Sequence, residues 1–135
     1  MAVVHPPGLS EGTRPRISVC VANFNGEALL RDCIDSVLAQ DTEAGIEVIV
    51  HDDASGDGSV ALLRCAYPQV RLLESPDNVG YCIANNRMVE AASGDYVLLL
   101  NNDAALHSDA LRRLLSAADA APGPVLLTLP QYDWD

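Results

Sequence analysis

Positive charge is scarce in this sequence of 135 residues: 8 Lys and Arg stand against 19 Asp and Glu, a formal net charge of −11. The shortage argues against nucleic-acid binding, where a basic footprint supplies most of the affinity. It argues equally against electrostatic attachment to an anionic membrane. No apolar run approaches the roughly 18 residues that a membrane-spanning helix needs. The stretch from Met1 to Arg16 carries Pro6, Pro7, Gly8 and Pro15 and no apolar segment of the kind a signal peptide has. Residues 1–15 are therefore expected to be a flexible tail, and the protein to be cytoplasmic, meeting a membrane only peripherally through partners. The cysteines (Cys20, Cys33, Cys65, Cys82) form no C-x-x-C and have no histidine pair nearby, which speaks against a zinc or redox site and leaves buried reduced thiols. Neither G-x-G-x-x-G nor G-x-x-x-x-G-K-[ST] occurs, so neither a dinucleotide fingerprint nor a P-loop is supported.

What is present is 49% hydrophobic sequence without internal repeats, enough for one globular core over residues 16–135. Strand-like and helix-like stretches alternate. Strands are expected at Ile17–Ala22, Ile46–His51, Val70–Leu73, Tyr96–Leu100 and Val125–Leu129. Helices are expected over Gly26–Gln40, from an N-cap at Ser59 to Ala66, over Gly80–Ala92, and from Ser108 or Asp109 to about Ala121. Such alternation implies an α/β fold with a mostly parallel sheet and flanking helices. Ligands of such sheets bind outside the carboxyl ends of the strands. Four polar segments fall there: Asn23–Gly26, Asp52–Gly58, Asp77–Gly80 and Asn101–Asp103.

Each segment has two readings. Asn101-Asn102-Asp103 follows the apolar run Tyr96–Leu100 and could position Mg²⁺ or Mn²⁺, which take one or two carboxylates plus substrate phosphates and water; or it could simply make a turn. Asp52 and Asp53 point to opposite sides of a strand, so at most one faces a given ligand, for example by accepting from a base N–H; the alternative is a solvated turn. Asp53, Ser55, Asp57 and Gly58 imitate a calcium loop, but Arg64 occupies the position that needs a bidentate Glu. Asp77–Gly80 opens a helix, which suits a diphosphate. Asn85 and Asn86 read as hydrogen-bonding struts. His5 lies in the tail, and His51 and His107 read as structural. Ser55 and Ser59 have no evident base.

Taken in order, these segments resemble glycosyltransferase family 2, inverting sugar transferases of the GT-A fold. The blocks are Val19–Gly26, similar to the family's opening strand and Tyr-Asn turn, and Val48–Ser59, similar to its Val-Asp-Asp-Gly-Ser-x-Asp-Gly-Thr. They continue with Asn78–Arg87, similar to Asn-x-Gly-Phe-x-x-x-x-Asn, and Gly94–Asp103, similar to the strand ending in D-x-D. The resemblance implies a Rossmann-like, nucleotide-sugar-binding sheet and a UDP- or dTDP-sugar donor. Ala22 and Asn23 would border the nucleoside, and Asp53, in preference to Asp52, would contact the base. Gly80 would let the chain pass close to the nucleotide. Asn101 would lie near the ribose or a metal-bound water, and Asp103 would hold Mg²⁺ or Mn²⁺. Asn25, Asn78 and Asn102 complete the implied nucleotide-sugar contacts. Asn101 departs from the first acidic position of D-x-D, and Asn-x-Asp looks like rhamnosyltransferase-type members.

In that family the general base and most acceptor contacts lie well beyond D-x-D. The implied domain is therefore C-terminally incomplete, without an assignable base; Asp133 and Asp135 are not assigned the role. The acceptor (glycan, lipid-linked or protein) stays open. In the family a later strand sits between the fourth and fifth, so an exposed sheet edge would favour self-association. Two competing readings are a non-catalytic nucleotide-sugar-binding or interaction module, and a nucleotidyltransferase. The latter usually has a Gly-rich, basic triphosphate loop, and Asn23–Gly26 offers none.

Overall fold

The alternation of strands and helices is realised in full up to residue 120. The computed structural model describes residues 15–133. The expected tail lies outside these residues except for Pro15, as do His5 and Asp135. The elements run β1 (Ile17–Asn23), α1 (Glu27–Leu38), β2 (Ile46–Asp53), α2 (Ser59–Ala66), β3 (Arg71–Ser75), α3 (Tyr81–Ala91), β4 (Tyr96–Asn101) and α4 (Ala110–Ala120). The strands form one sheet in the order β3-β2-β1-β4, and all three pairings are parallel. The expected α/β sheet with flanking helices is what forms.

Side-chain alternation along the strands divides the core in two. Val19 and Val21 of β1, Val48 and Val50 of β2, and Leu98 and Leu100 of β4 face α1, α2 and α4, where Leu30, Ile34, Leu63, Leu111 and Leu114 meet them. On the opposite face Cys20, Ile49 and Val97 pack on Met88 of α3. One helix covers that second face, so Ala22, Leu73 and Leu99 stay partly open.

Several boundaries move. Strand β2 runs two residues past His51, so Asp52 and Asp53 belong to the strand and inherit its rigidity. Gly58, not Ser59, is the N-cap of α2, and Ser59 is its first residue. Val125–Leu129 forms no strand, contrary to expectation. A strand needs a ladder partner, and Pro124 and Pro130 at its two ends have no N–H to give. Its apolar residues Leu127 and Leu129 pack on the larger core cluster instead. The expectation of buried thiols holds for Cys20 and Cys33 only, since Cys65 and Cys82 are exposed; all four are unpaired.

Candidate functional site

The strand order reverses direction once. From β1 the chain moves outward through β2 to β3, then crosses to the other side of β1 to lay down β4. Ligands of open α/β sheets bind outside the carboxyl ends of the strands at such a switch point. Here that point lies between the ends of β1 and β4, where Ala22 is in register with Asn101.

On the β2 side of this point, the expected ligand residues are bonded to one another. Asp52 is buried and accepts from Asn23 Nδ2 at 2.9 Å, Ser55 N at 3.0 Å and Ser55 Oγ at 2.7 Å. Asn23 Oδ1 accepts from Asn102 Nδ2 at 3.0 Å, which ties the end of β1 to the turn after β4. Asn25, at φ 49°, accepts from Gly56 N at 2.8 Å and gives its own N–H to Ser55 Oγ. Glu27 N and Ser59 N both donate to Asp57, and Gly58 N donates to Glu27. These bonds fold 52–59 against 23–27. Within this corner Ala54 sits at φ 62°, a left-handed conformation costing a non-glycine residue about 1–2 kcal/mol. It persists because its neighbours on both sides are pinned.

Asp53 points the opposite way, as alternation requires. Its two oxygens accept from Val79 N at 2.7 Å and Gly80 N at 2.8 Å, and the side chain is buried. Gly80 has φ 84°, open to glycine without strain, and no atom lies within 4 Å of where a Cβ would sit. The turn before α3 was expected to offer its N–H groups to a diphosphate; two of them are taken by Asp53. The internal carboxylate thus serves as the anion at this helix start.

At the end of β4 the situation differs. Asn101 and Asp103 are exposed and Asn102 is half-buried. Asp103 has no hydrogen-bond or ion-pair partner among the described residues. Ala22, Tyr81, Asn101, Asn102 and Asp103 line an open depression of about 460 Å³. Asp103 also lines a second depression of about 220 Å³ with Leu29, Asp32, Cys33 and Ala104. Burial, with Asp103 adding to it, pushes the Cys33 thiol up to about 12, so it is no nucleophile near neutral pH. Among the described residues no group of three or more His, Cys, Asp or Glu could hold a metal. An unpartnered carboxylate in the turn directly after β4 still fits a hard cation that substrate phosphates and water would complete.

The remaining candidates are placed as follows. Asn78 is exposed in the loop before α3. Asn85 is a strut, donating to Tyr81 O at 3.0 Å, whereas Asn86 is exposed. His107 is exposed, and its carbonyl accepts from Gln40. His51 is buried on the α3 side; Nε2 lies 3.4 Å from Arg87 Nη1, and Nδ1 has no partner among the described residues. Burial holds its pKa below the ordinary histidine range, against the pull of Asp53. Sequence reasoning missed Tyr81, whose exposed ring forms a wall of the larger depression. Its signal was an aromatic residue directly after the helix-opening Gly80.

Comparisons with known proteins bear on the family and the fold. The curated relatives include the succinoglycan biosynthesis protein ExoO of Rhizobium meliloti, 34% identical over 87% of this chain and 33% of its own length. They also include an N-acetylglucosaminyltransferase of Bradyrhizobium, 31% identical over 80% of this chain and 74% of its own length. Among solved structures, the mannosyltransferase PcManGT from Pyrobaculum calidifontis, in complex with GDP-Man and Mn²⁺, is 29% identical. It superposes with TM-score 0.72 over 82% of this chain and 34% of its own. S. aureus TarS 1-349 in complex with UDP shares the fold, with TM-score 0.70 at 24% identity over 77% of this chain and 32% of its own. The chain thus spans about a third of the length of ExoO and of both solved structures. The family model for Glycosyl transferase family 2 matches residues 18–135, so the chain belongs to that family and is built on a GT-A fold.

Proposed function

We propose that this chain is the donor-binding portion of a nucleotide-sugar-dependent glycosyltransferase, acting with a divalent cation. The observation that carries the reading is the depression at the β1/β4 switch point, lined by Ala22, Tyr81, Asn101, Asn102 and Asp103. Ala22 and Asn23 border the nucleoside. Asp53, with each oxygen already accepting one N–H, keeps a lone pair on each for a base N–H. Asn25, Asn78 and Gly80 shape the loops around it. Asp103 holds Mg²⁺ or Mn²⁺, which when bound would offset the charge that develops on the leaving diphosphate. A chain of net charge −11 has strong need of such a counter-ion before a diphosphate can approach. PcManGT with GDP-Man and Mn²⁺, at 29% identity, supports both the donor class and the metal. Inversion at the sugar and the rhamnosyltransferase-like variant rest on the family resemblance and on Asn101 at the first D-x-D position. Transfer to an acceptor hydroxyl needs a general base, and none is assigned here. Synthesis of a cell-surface polysaccharide, as for ExoO, is the proposed setting.

Calorimetry with UDP, dTDP and GDP, each with and without Mn²⁺, tests this. One diphosphate is expected to bind with Mn²⁺, and the binding to be lost in Asp103→Ala. Silence with all three would overturn the proposal. Binding without transfer of sugar to any acceptor would favour the alternative of a non-catalytic nucleotide-sugar-binding module.

A further inference from the structure

Asn101, two residues before Asp103 at the end of β4, has a side-chain oxygen at the depression that Asp103 also lines. That oxygen has a partner. Tyr81 is the first residue of α3, and its hydroxyl donates to Asn101 Oδ1 at 3.1 Å across the depression that both residues line. The start of α3 is held in turn by Asp53 through Val79 N and Gly80 N, so the ring stands on a fixed base. An amide whose oxygen is engaged by a hydroxyl on one side presents its NH₂ on the other. An exposed NH₂ facing an open cleft is a donor. It cannot ligate a cation, and it matches an acceptor oxygen.

From this we propose that Tyr81 is a positioning residue of the donor site. Its hydroxyl fixes the Asn101 amide so that Nδ2 donates to an oxygen of the nucleotide-sugar, while Asp103 supplies the carboxylate that binds the cation. The inference rests on the reading of the cleft as a nucleotide-sugar site, and adds to it a residue and a division of labour. It also gives Asn101 a chemistry of its own, since an aspartate there would have no N–H to donate.

A double-mutant cycle on the full chain tests it, read by calorimetry with UDP, dTDP and GDP in Mn²⁺. Tyr81→Phe keeps the ring and removes only the hydroxyl, and is expected to weaken the diphosphate that binds by about three- to tenfold, the effect of one hydrogen bond. The same change in an Asn101→Ala background is expected to alter affinity less than about twofold, because the group it orients is gone. Asn101→Asp, which keeps the oxygen and deletes the donor, is expected to weaken binding as Asn101→Ala does. The midpoint of thermal unfolding without ligand should stay unchanged in Tyr81→Phe, which separates positioning from loss of fold. Repeating the cycle with uridine locates the accepted oxygen: a retained Tyr81 effect places it on the ribose, and an effect confined to the diphosphate places it on phosphate. Additive losses in the cycle, undiminished affinity in Tyr81→Phe, or tighter Mn²⁺-dependent binding in Asn101→Asp would overturn the inference while leaving the donor-site reading intact. No binding of any diphosphate by the unaltered chain would remove both.

Discussion

The ends of β2 and β4 carry similar residues, Asp52-Asp53 on one and Asn101-Asn102-Asp103 on the other, yet the fold uses them oppositely. At β2 both carboxylates are buried, and five hydrogen bonds donated by Asn23, Ser55, Val79 and Gly80 converge on Asp52 and Asp53. At β4, Asp103 is exposed and has no partner among the described residues, and Asn101 is exposed with its oxygen accepting from Tyr81 across the depression. The β2 end is a frame, with only the remaining lone pairs of Asp53 left for the base, and the β4 end a working surface. Polar residues at strand ends therefore do not all mark ligand contacts: some hold the loops on which the contacts depend.

That contrast is easiest to break at Asp52. Asp52→Ala removes three hydrogen bonds to a buried carboxylate, leaving Ser55 N without its acceptor and Asn23 Nδ2 with Ser55 Oγ alone. It is expected to cost about 3 kcal/mol in urea unfolding, with an unchanged denaturant slope. A loss under 1 kcal/mol would mean that the frame is not one.

Gly26→Ala probes the tie between the two ends. An added Cβ would lie 2.3 Å from both Asn23 Oδ1 and Asn102 Nδ2, directly on the bond joining β1 to the β4 turn. A loss of about 1–2 kcal/mol is expected, together with weaker diphosphate binding, because Asn102 must give way. Unaltered binding would show that the working end does not lean on this tie.

Acidification acts on the frame through His51. Its folded-state pKa is depressed by burial, so the unfolded chain binds the proton more readily and stability falls as pH drops below the ordinary histidine value of about 6.5. The unfolding midpoint should fall on going from pH 7.5 to 5.5, and fall less in His51→Gln. Equal slopes in the two proteins would remove His51 from the frame. The smallest expected change is a gain. Ala54→Gly relieves the left-handed backbone at φ 62° and should add about 0.5–1 kcal/mol, the strain outweighing the extra chain entropy of glycine. A loss would show that the corner is unstrained.

Much of this was legible in the sequence because it is local. Apolar spacing located all eight elements, and the abrupt change from Leu100 to Asn101 marked the working end. The partners of Asp53 were not legible, since Val79 and Gly80 lie far along the chain and meet it only once α3 packs on the sheet. Alternation did foretell that Asp52 and Asp53 would face different sides. Val125–Leu129 misled for the converse reason. Its composition is that of a strand, but a strand exists only where another offers a ladder, and local pattern carries no information about that. The crossing of Tyr81 to Asn101 is likewise a product of topology, joining the start of a helix to the end of the next strand in sequence.

The most direct test of the division between frame and working surface is the shift in unfolding temperature on adding the bound nucleoside diphosphate with Mn²⁺, measured for the unaltered chain and for Asp103→Ala. The expected result is equal midpoints without ligand, an upward shift for the unaltered chain, and none for Asp103→Ala. A lowered midpoint for unliganded Asp103→Ala, or an undiminished ligand shift in that variant, would contradict it.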